Sequence, residues 1–320
     1  RERFRLAIET MPSAVVVLEG SEGRFSYVNR RAVEIYGGDH LGLDLLEHMS
    51  TVRLLRPDGT PYPVEELPAT RSMRSGEEVR NAEMTIERRD GTRMPVLVSS
   101  APLSEVEDGT AAAIVVFEDI SERKRAEEAL RESQQRSERS NSVLSGVNRI
   151  FHGSLTCETE EALARTCLEV AEEITGSAFG FIGEVNRETG KLENVVMSDP
   201  GWERCRMVGP GGERRIPALE IRGLFGRVLG EGVPLIANDP SGHPDSLGTP
   251  EGHPALDAFL GVPLVRTGEA IGMIGLGNRP GGYGEEEVGA VEALAPAVVQ
   301  AFFRKRAEAA LRWAADRDAY

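Results

Sequence analysis

Residues 117–134 read FEDISERKRAEEALRESQ, and the stretch changes character halfway along. The run leading into it, AAAIVVF (111–117), is apolar and partly β-branched, the composition of a sheet strand. From Ser121 onward charge dominates. Glu127→Arg131 and Glu132→Arg136 are i,i+4 pairs in the orientation that supports a helix. A strand passing straight into a polar helix marks the end of a domain. The helical half then returns: RKRAEEALR (123–131) and RKRAEAALR (304–312) agree at eight of nine positions. The chain therefore reads as two domains in series, each closed by the same kind of connector.

Following the first connector forward gives Ala126, Leu130, Ser133, Ser137, Ser140, Leu144, Val147 and Phe151, spaced alternately by four and three. That is a heptad seam. Three serines at its centre weaken it, which suits two packings of nearly equal energy. The expectation is a homodimer through a coiled-coil signalling helix over 123–149, with a second connector helix beginning over 306–320.

Working backward, residues 1–122 carry the signals of an α+β domain. RERFRLAIETM (1–11) sets Phe4, Ala7, Ile8 and Met11 at helical spacing, and Pro12 stops the helix. SAVVVLE and RFSYVN flank the turn GSEG as a hairpin, and RRAVEIYGG is a short helix ended by glycine. NAEMTIERR, TRMPVLVSSAPL and TAAAIVVFEDI form a meander turned at Asp90-Gly91 and Asp108-Gly109. The sum is one five-stranded antiparallel sheet with helices on one face. This order, together with LLRPDGTPYPVEELP (54–68) and the exit FEDIS, resembles a PAS domain with its signalling helix. No cysteine lies in the region, which excludes the flavin–thiol photochemistry of one PAS class. Residues 64–76 hold no histidine where a haem-binding PAS domain carries its ligand. His40 and His48 are expected to be solvated loop residues. The resemblance implies a dimerising relay.

Residues 150–305 read as a second α+β domain. TEEALARTCLEVAEEITGS is an amphipathic helix with Leu163, Cys167, Val170 and Ile174 on one face, so Cys167 is expected to be a core thiol. FGFIGEV and KLENVVMS form one hairpin, and AFLGVPLVR and AIGMIGLGN another. A closing helix is apolar at Val288, Val291, Leu294, Val298 and Phe302. A central antiparallel sheet enclosed by the first and last helices is expected. GEGVPLIAND before FLGVPLVRTGEAIGMIGLGN resembles a GAF domain. GWERCRM, GLFGRVLGEGVPLIANDPSGHPD and PEGHPALDAFLGVPL are similar to the GAF modules of certain archaeal and bacterial sensor kinases, some of which bind haem. In that group a cysteine of the first segment and a histidine of the last are implicated. The matching residues are Cys205 and His253, with His253 the candidate axial ligand of haem iron. The irregular, Gly- and Pro-rich stretch 200–260 is where a ligand cavity is expected, bounded by Trp202, Cys205, Leu224, Phe225 and His253, with Phe259 as a further aromatic wall.

Composition and motif content limit the rest. With 52 acidic and 37 basic residues among 320, net charge −15, the chain lacks the basic excess of a nucleic-acid binder. Three widely spaced cysteines indicate neither a disulfide framework nor a zinc site. The apolar runs are too short to span a bilayer, and a cytoplasmic location is expected. GPGGERR and RPGGYG lack the lysine and hydroxyl of a phosphate loop, and no kinase or hydrolase signature occurs. The expectation is a non-catalytic PAS–GAF input region of a sensor histidine kinase. It would bind an unknown small ligand and pass its state to a downstream kinase core. The alternatives are the input region of a cyclic-dinucleotide synthase or phosphatase, or a haem-based redox or gas sensor.

Overall fold

The computed structural model describes residues 2–103, 111–206, 218–249 and 252–318. The chain divides into two compact units, residues 1–134 and 135–320.

In the first unit α1 (Glu2–Glu9) precedes the hairpin β1 (Ala14–Glu19) and β2 (Arg24–Val28), followed by α2 (Arg30–Tyr36) and α3 (Leu45–Thr51). Then come β3 (Val52–Leu55), a 3-10 turn (Val64–Glu66) and α4 (Pro68–Ser75). The meander β4 (Val79–Arg88), β5 (Arg93–Pro102) and β6 (Ala112–Asp119) closes the unit. Its antiparallel sheet runs β2-β1-β6-β5-β4-β3, with Val16 of β1 opposite Val115 of β6. The sheet has six strands, not the expected five. The added one, β3, is only VRLL, and it is held by pairing along β4 rather than by a long apolar alternation of its own. The turn at Asp108-Gly109 lies outside the described residues.

Asn29 knots the start of this unit. Fully buried, it caps α2 by accepting from the Ala32 amide (3.0 Å) and also accepts from the Val15 amide (2.9 Å). Its amide group donates to the carbonyls of Ile8 and Ser13, 3.0 Å each. Every hydrogen-bonding site of one side chain is thus matched, and α1, β1 and α2 meet at it.

The second unit takes up the far half of α5 (Ser121–Thr156), the 36-residue helix that joins the two. Along α5 the buried residues are Gly146, Ile150, Gly153 and Ser154, all in its last third. A Cβ at Gly146 would come within 2.7 Å of Val170 and 2.8 Å of Ile174, so glycine allows the close helix approach there. Next come α6 (Glu160–Thr175), β7 (Phe179–Asn186), β8 (Lys191–Met197), α7 (Asp199–Arg204), β9 (Leu219–Glu220) and α8 (Gly223–Glu231). The unit ends with β10 (Leu235–Ala237), β11 (Phe259–Arg266), β12 (Glu269–Gly277) and α9 (Glu285–Asp318). Its sheet order is β10-β11-β12-β7-β8-β9.

Strand alternation gives this sheet two unlike faces. Ile182, Leu260, Val262, Ile274 and Leu276 turn to a large core shared with α6, α9 and Ile150. Phe259 and Met273 turn to a smaller cluster with Val228 of α8. The first and last helices therefore share one face instead of enclosing the sheet, because both carry apolar stripes that bury against each other as well as against the strands. Cys167 is fully buried in that core, and burial pushes its thiol up to about 12.

The repeated nonapeptide has a structural counterpart. In the first copy Lys124 reaches Glu83 of β4 at 2.6 Å, with Arg123 beside it at 3.5 Å. In the second copy Arg306 pairs with Glu160 of α6 and with Glu184 of β7, and the nearly buried Lys305 donates to the carbonyl of Cys157. Each basic triplet fastens the outgoing helix to its own domain.

Candidate functional site

A cavity of about 770 Å³ opens on the α8 side of the second sheet. Its floor comes from paired strands. Phe181 lies directly opposite Gly275, and Phe179 opposite Gly277. A Cβ at Gly275 would stand 2.2 Å from the Phe181 ring, and one at Gly277 would stand 2.8 Å from the Phe179 ring. The two rings therefore lie across the glycines, and all four residues line the cavity. Such glycine–aromatic cross-strand pairing restores packing where the glycine leaves a gap. Phe225, from the first turn of α8, stands between Phe181 of β7 and Phe259 of β11. Its ring centroid is 5.6 Å from Phe181 and 5.9 Å from Phe259, both at steep angles. The result is an aromatic wall meeting a flat floor.

Leu224, Phe225, Cys205 and His253 all line this one cavity. Cys205 follows the short α7, donates its amide to the Gly201 carbonyl (2.9 Å) and is fully buried against Met197. The neighbouring residues tie its segment to that of His253: the Arg206 amide donates to the Gly252 carbonyl at 2.7 Å. Trp202 differs from expectation. It does not line the cavity but packs, half-buried, against Met197 and Cys205 from α7.

His253 Nδ1 lies 2.7 Å from the Pro254 carbonyl oxygen, which can only accept. The ring is thus the Nδ1–H tautomer when neutral, and Nε2 keeps its lone pair. A backbone carbonyl holding one ring nitrogen is the arrangement that orients a histidine ligand. Glu220, Arg222, Ser241, Ser246 and Thr249 add polar groups to a lining that is otherwise mostly apolar. A volume of this size, with aromatic walls and few polar groups, falls in the range of small-molecule and cofactor sites. Hairpin patterning in the sequence does not reveal this floor, which depends on register. The signal was there: FGF in β7 faces GLG in β12.

The first unit holds a far smaller cavity, about 60 Å³, lined by Leu18, Phe25, Tyr36, His48 and Phe117 among others. Here the sequence reading of the histidines is corrected. His40 and His48 are 4% and 2% exposed, not solvated. Aromatic neighbours from α2, β2 and β6 close over them, and no local pattern announces that closure.

No helix among the described residues is long and apolar enough to cross a membrane. The seam residues of α5 divide: Leu130, Leu144 and Phe151 are 58%, 57% and 40% exposed, while Val147 packs against the second core.

Comparison with known proteins matches residues 12–122 to a PAS domain and residues 157–302 to a GAF domain. Over 223 residues, 69% of this chain, the sequence is 28% identical to a methyl sulfide methyltransferase-associated sensor of Methanosarcina acetivorans. The match spans only 21% of that protein's length. The GAF domain of a phosphoenolpyruvate-protein phosphotransferase from Coxiella burnetii is similar in structure, at 19% identity and a TM-score of 0.44, over 53% of this chain and 97% of that one. A PAS domain of an HTR-like protein from Haloarcula marismortui matches 37% of this chain and 90% of its own, at 23% identity and a TM-score of 0.28. The chain consists of a PAS domain followed by a GAF domain, in the manner of signal-sensing proteins.

Proposed function

We propose that this chain is the sensory input region of a dimeric signal-transduction histidine kinase acting in the cytoplasm, and that the occupant of the GAF cavity is what it senses. The observation that carries the reading is the two-faced sheet. β11 gives Phe259 to the cavity side and Leu260 to the core shared with α9, and β12 likewise gives Met273 and Ile274 to opposite sides. A ligand pressing on one face acts on strands whose other face supports the outgoing helix. The exposed Leu130, Leu144 and Phe151 are the residues through which two copies of α5 would pair. The kinase core would be contributed by sequence outside these 320 residues.

Haem is the candidate occupant. His253 would hold it through Nε2, Cys205 lines the same cavity, and Arg222 suits a carboxylate. When bound, haem supplies a redox-active iron able to take a diatomic gas. The protein's own part would be to close one side of the cavity with the Phe181–Gly275 pair and to keep His253 in one tautomer. Adding hemin to the purified chain should give a Soret band that shifts in His253→Ala. A spectrum unchanged by that substitution would remove haem ligation at His253. Isothermal titration with other small apolar ligands then separates a different occupant from an empty cavity.

A further inference from the structure

The two buried histidines of the PAS unit form a pair. The Nδ1 atoms of His40 and His48 are 2.6 Å apart, and the rings meet at 70° with centroids 4.8 Å apart. Tyr36 stacks on His40 at 4.7 Å and meets His48 edge-on, also at 4.7 Å. Phe25 covers His48 at 4.8 Å. Two neutral imidazoles can join through Nδ1 only if one ring carries its proton there and the other carries it on Nε2. A first added proton can sit on the outer nitrogen of the donor ring and leave the bond intact. A second must take the acceptor's lone pair, which breaks the bond and sets two cations against each other inside an aromatic box.

The surroundings give that charge little help. On α2 the pair meets Tyr36, whose own ionisation burial pushes further up. In the loop Asp39 favours a charged His40, yet burial outweighs it and His40 is held below the ordinary range. On α3 the carboxylates of Asp44 and Glu47 are engaged in the capping box at the helix N-terminus. β2 and β6 offer only Phe25 and Phe117. Arg88 of β4 is a fixed cation at the end of α2, bound to the carbonyls of Glu34 and Ile35. For His48, burial and then the charge of His40 push the imidazole down to about 3.

We propose that the His40–His48 pair makes the PAS domain proton-responsive, with acidification freeing α3 from the aromatic box and opening the small cavity behind it. The loop carrying His40 is tied to β2 by two short backbone bonds, Gly42 to the Phe25 carbonyl (2.8 Å) and Phe25 to the Leu43 carbonyl (2.9 Å), whereas α3 is tied by one longer bond, Leu45 to the Glu22 carbonyl (3.3 Å), so α3 is the part that yields. Closed, the pair excludes a second proton; open, each imidazole titrates near its ordinary value of about 6.5. The sign follows. The open form binds more protons, so the closed form is unpenalised above pH 6.5 and loses ground as pH falls toward the depressed value. Counting His48 alone, the open-to-closed ratio rises about 4-fold at pH 6 and about 30-fold at pH 5.

Hydrogen exchange of the whole 320-residue chain at pH 7, 6 and 5, corrected for intrinsic amide chemistry, reads this directly. Residues 44–51 should lose protection by about those factors, while β5 and β6 do not. The double variant His40→Phe, His48→Leu should lose the pH dependence. If it fails to fold, histidine-labelled NMR of the wild type still decides, since at least one imidazole of the pair must resist protonation at pH 5. Protection of 44–51 unchanged from pH 7 to pH 5, or both imidazoles of the pair titrating at their ordinary value, would overturn the inference.

Discussion

Replacing Arg306 with methionine tests whether the second basic triplet fastens α9 to the GAF sheet. Arg306 holds two carboxylates at once: Nε to Glu160 at 2.9 Å, and Nη1 and Nη2 to Glu184 at 2.7 and 2.5 Å. The three side chains are about one-third exposed, 36%, 31% and 31%. Solvent screening therefore limits each pair to the upper end of the surface range, about 1 kcal/mol. Both carboxylates also hold the guanidinium well above its usual ionisation, so it stays charged throughout. Methionine keeps much of the aliphatic packing and removes the charge. Two lost pairs cost about 2 kcal/mol, and the repulsion unmasked between Glu160 and Glu184 adds up to about 1 more. With a urea slope of about 1–3 kcal/mol/M, the midpoint should fall by roughly 1 M. Both tryptophans, Trp202 and Trp313, lie in the GAF unit, so fluorescence follows that unit alone. The sharper check is a change of sign. Glu184→Gln should destabilise the wild type by breaking a pair, and stabilise Arg306→Met by removing the repulsion. If Glu184→Gln acts in the same direction in both backgrounds, Arg306 is not the bridge between the two acids.

Gly275→Val should raise the Phe181 ring into the cavity. A stability loss of about 1–3 kcal/mol is expected from the overpacking, with weaker uptake of hemin or an apolar dye measured by titration. Leu130→Glu with Leu144→Glu should abolish self-association in light scattering, since each would bury an unpaired charge in the seam; wild-type chain that is monomeric at high micromolar concentration refutes the dimer. Cys167 should resist iodoacetamide at pH 8 in the folded chain and react once the chain unfolds, checked by mass spectrometry. With its thiol near 12, only on the order of 10⁻⁴ is thiolate, and none of the residue is exposed.

How far the sequence could be read follows the range of the interactions involved. The Asp90-Gly91 hairpin, the stripe of Leu163, Cys167 and Val170, and the buried positions of the closing helix were legible because turn chemistry and periodicity are local. β3 was not, since four residues acquire strand character only from their neighbour β4. The burial of His40 and His48 is set by Phe25, Tyr36 and Phe117, which come from three other elements. At the GAF cavity Cys205 and His253 are named from family segments and Leu224 and Phe225 from the loop-rich stretch 200–260, and the structure brings the four to one cavity. Trp202 was misplaced because the direction of a short helix cannot be read from its sequence. The floor was missed because its meaning lies in the register between β7 and β12, where each phenylalanine meets a glycine.

Helix α5 carries a practical consequence for how such modules can be cut and recombined. The GAF match begins at residue 157 and ends at 302. Ile150, wholly buried in the core, lies before that start, and so does Gly146, which seats α5 against Val170, Ile174 and Leu294. Lys305 and Arg306 lie beyond its end. A fragment trimmed to the match would lose an isoleucine whose burial contributes about 1.5–3 kcal/mol, and would open an apolar face of α6 and α9 to water. The unit that recurs between proteins is thus smaller than the unit that folds. Fusion joints are better tolerated within residues 131–142, a stretch of α5 exposed throughout, than at the ends of the recognisable domain.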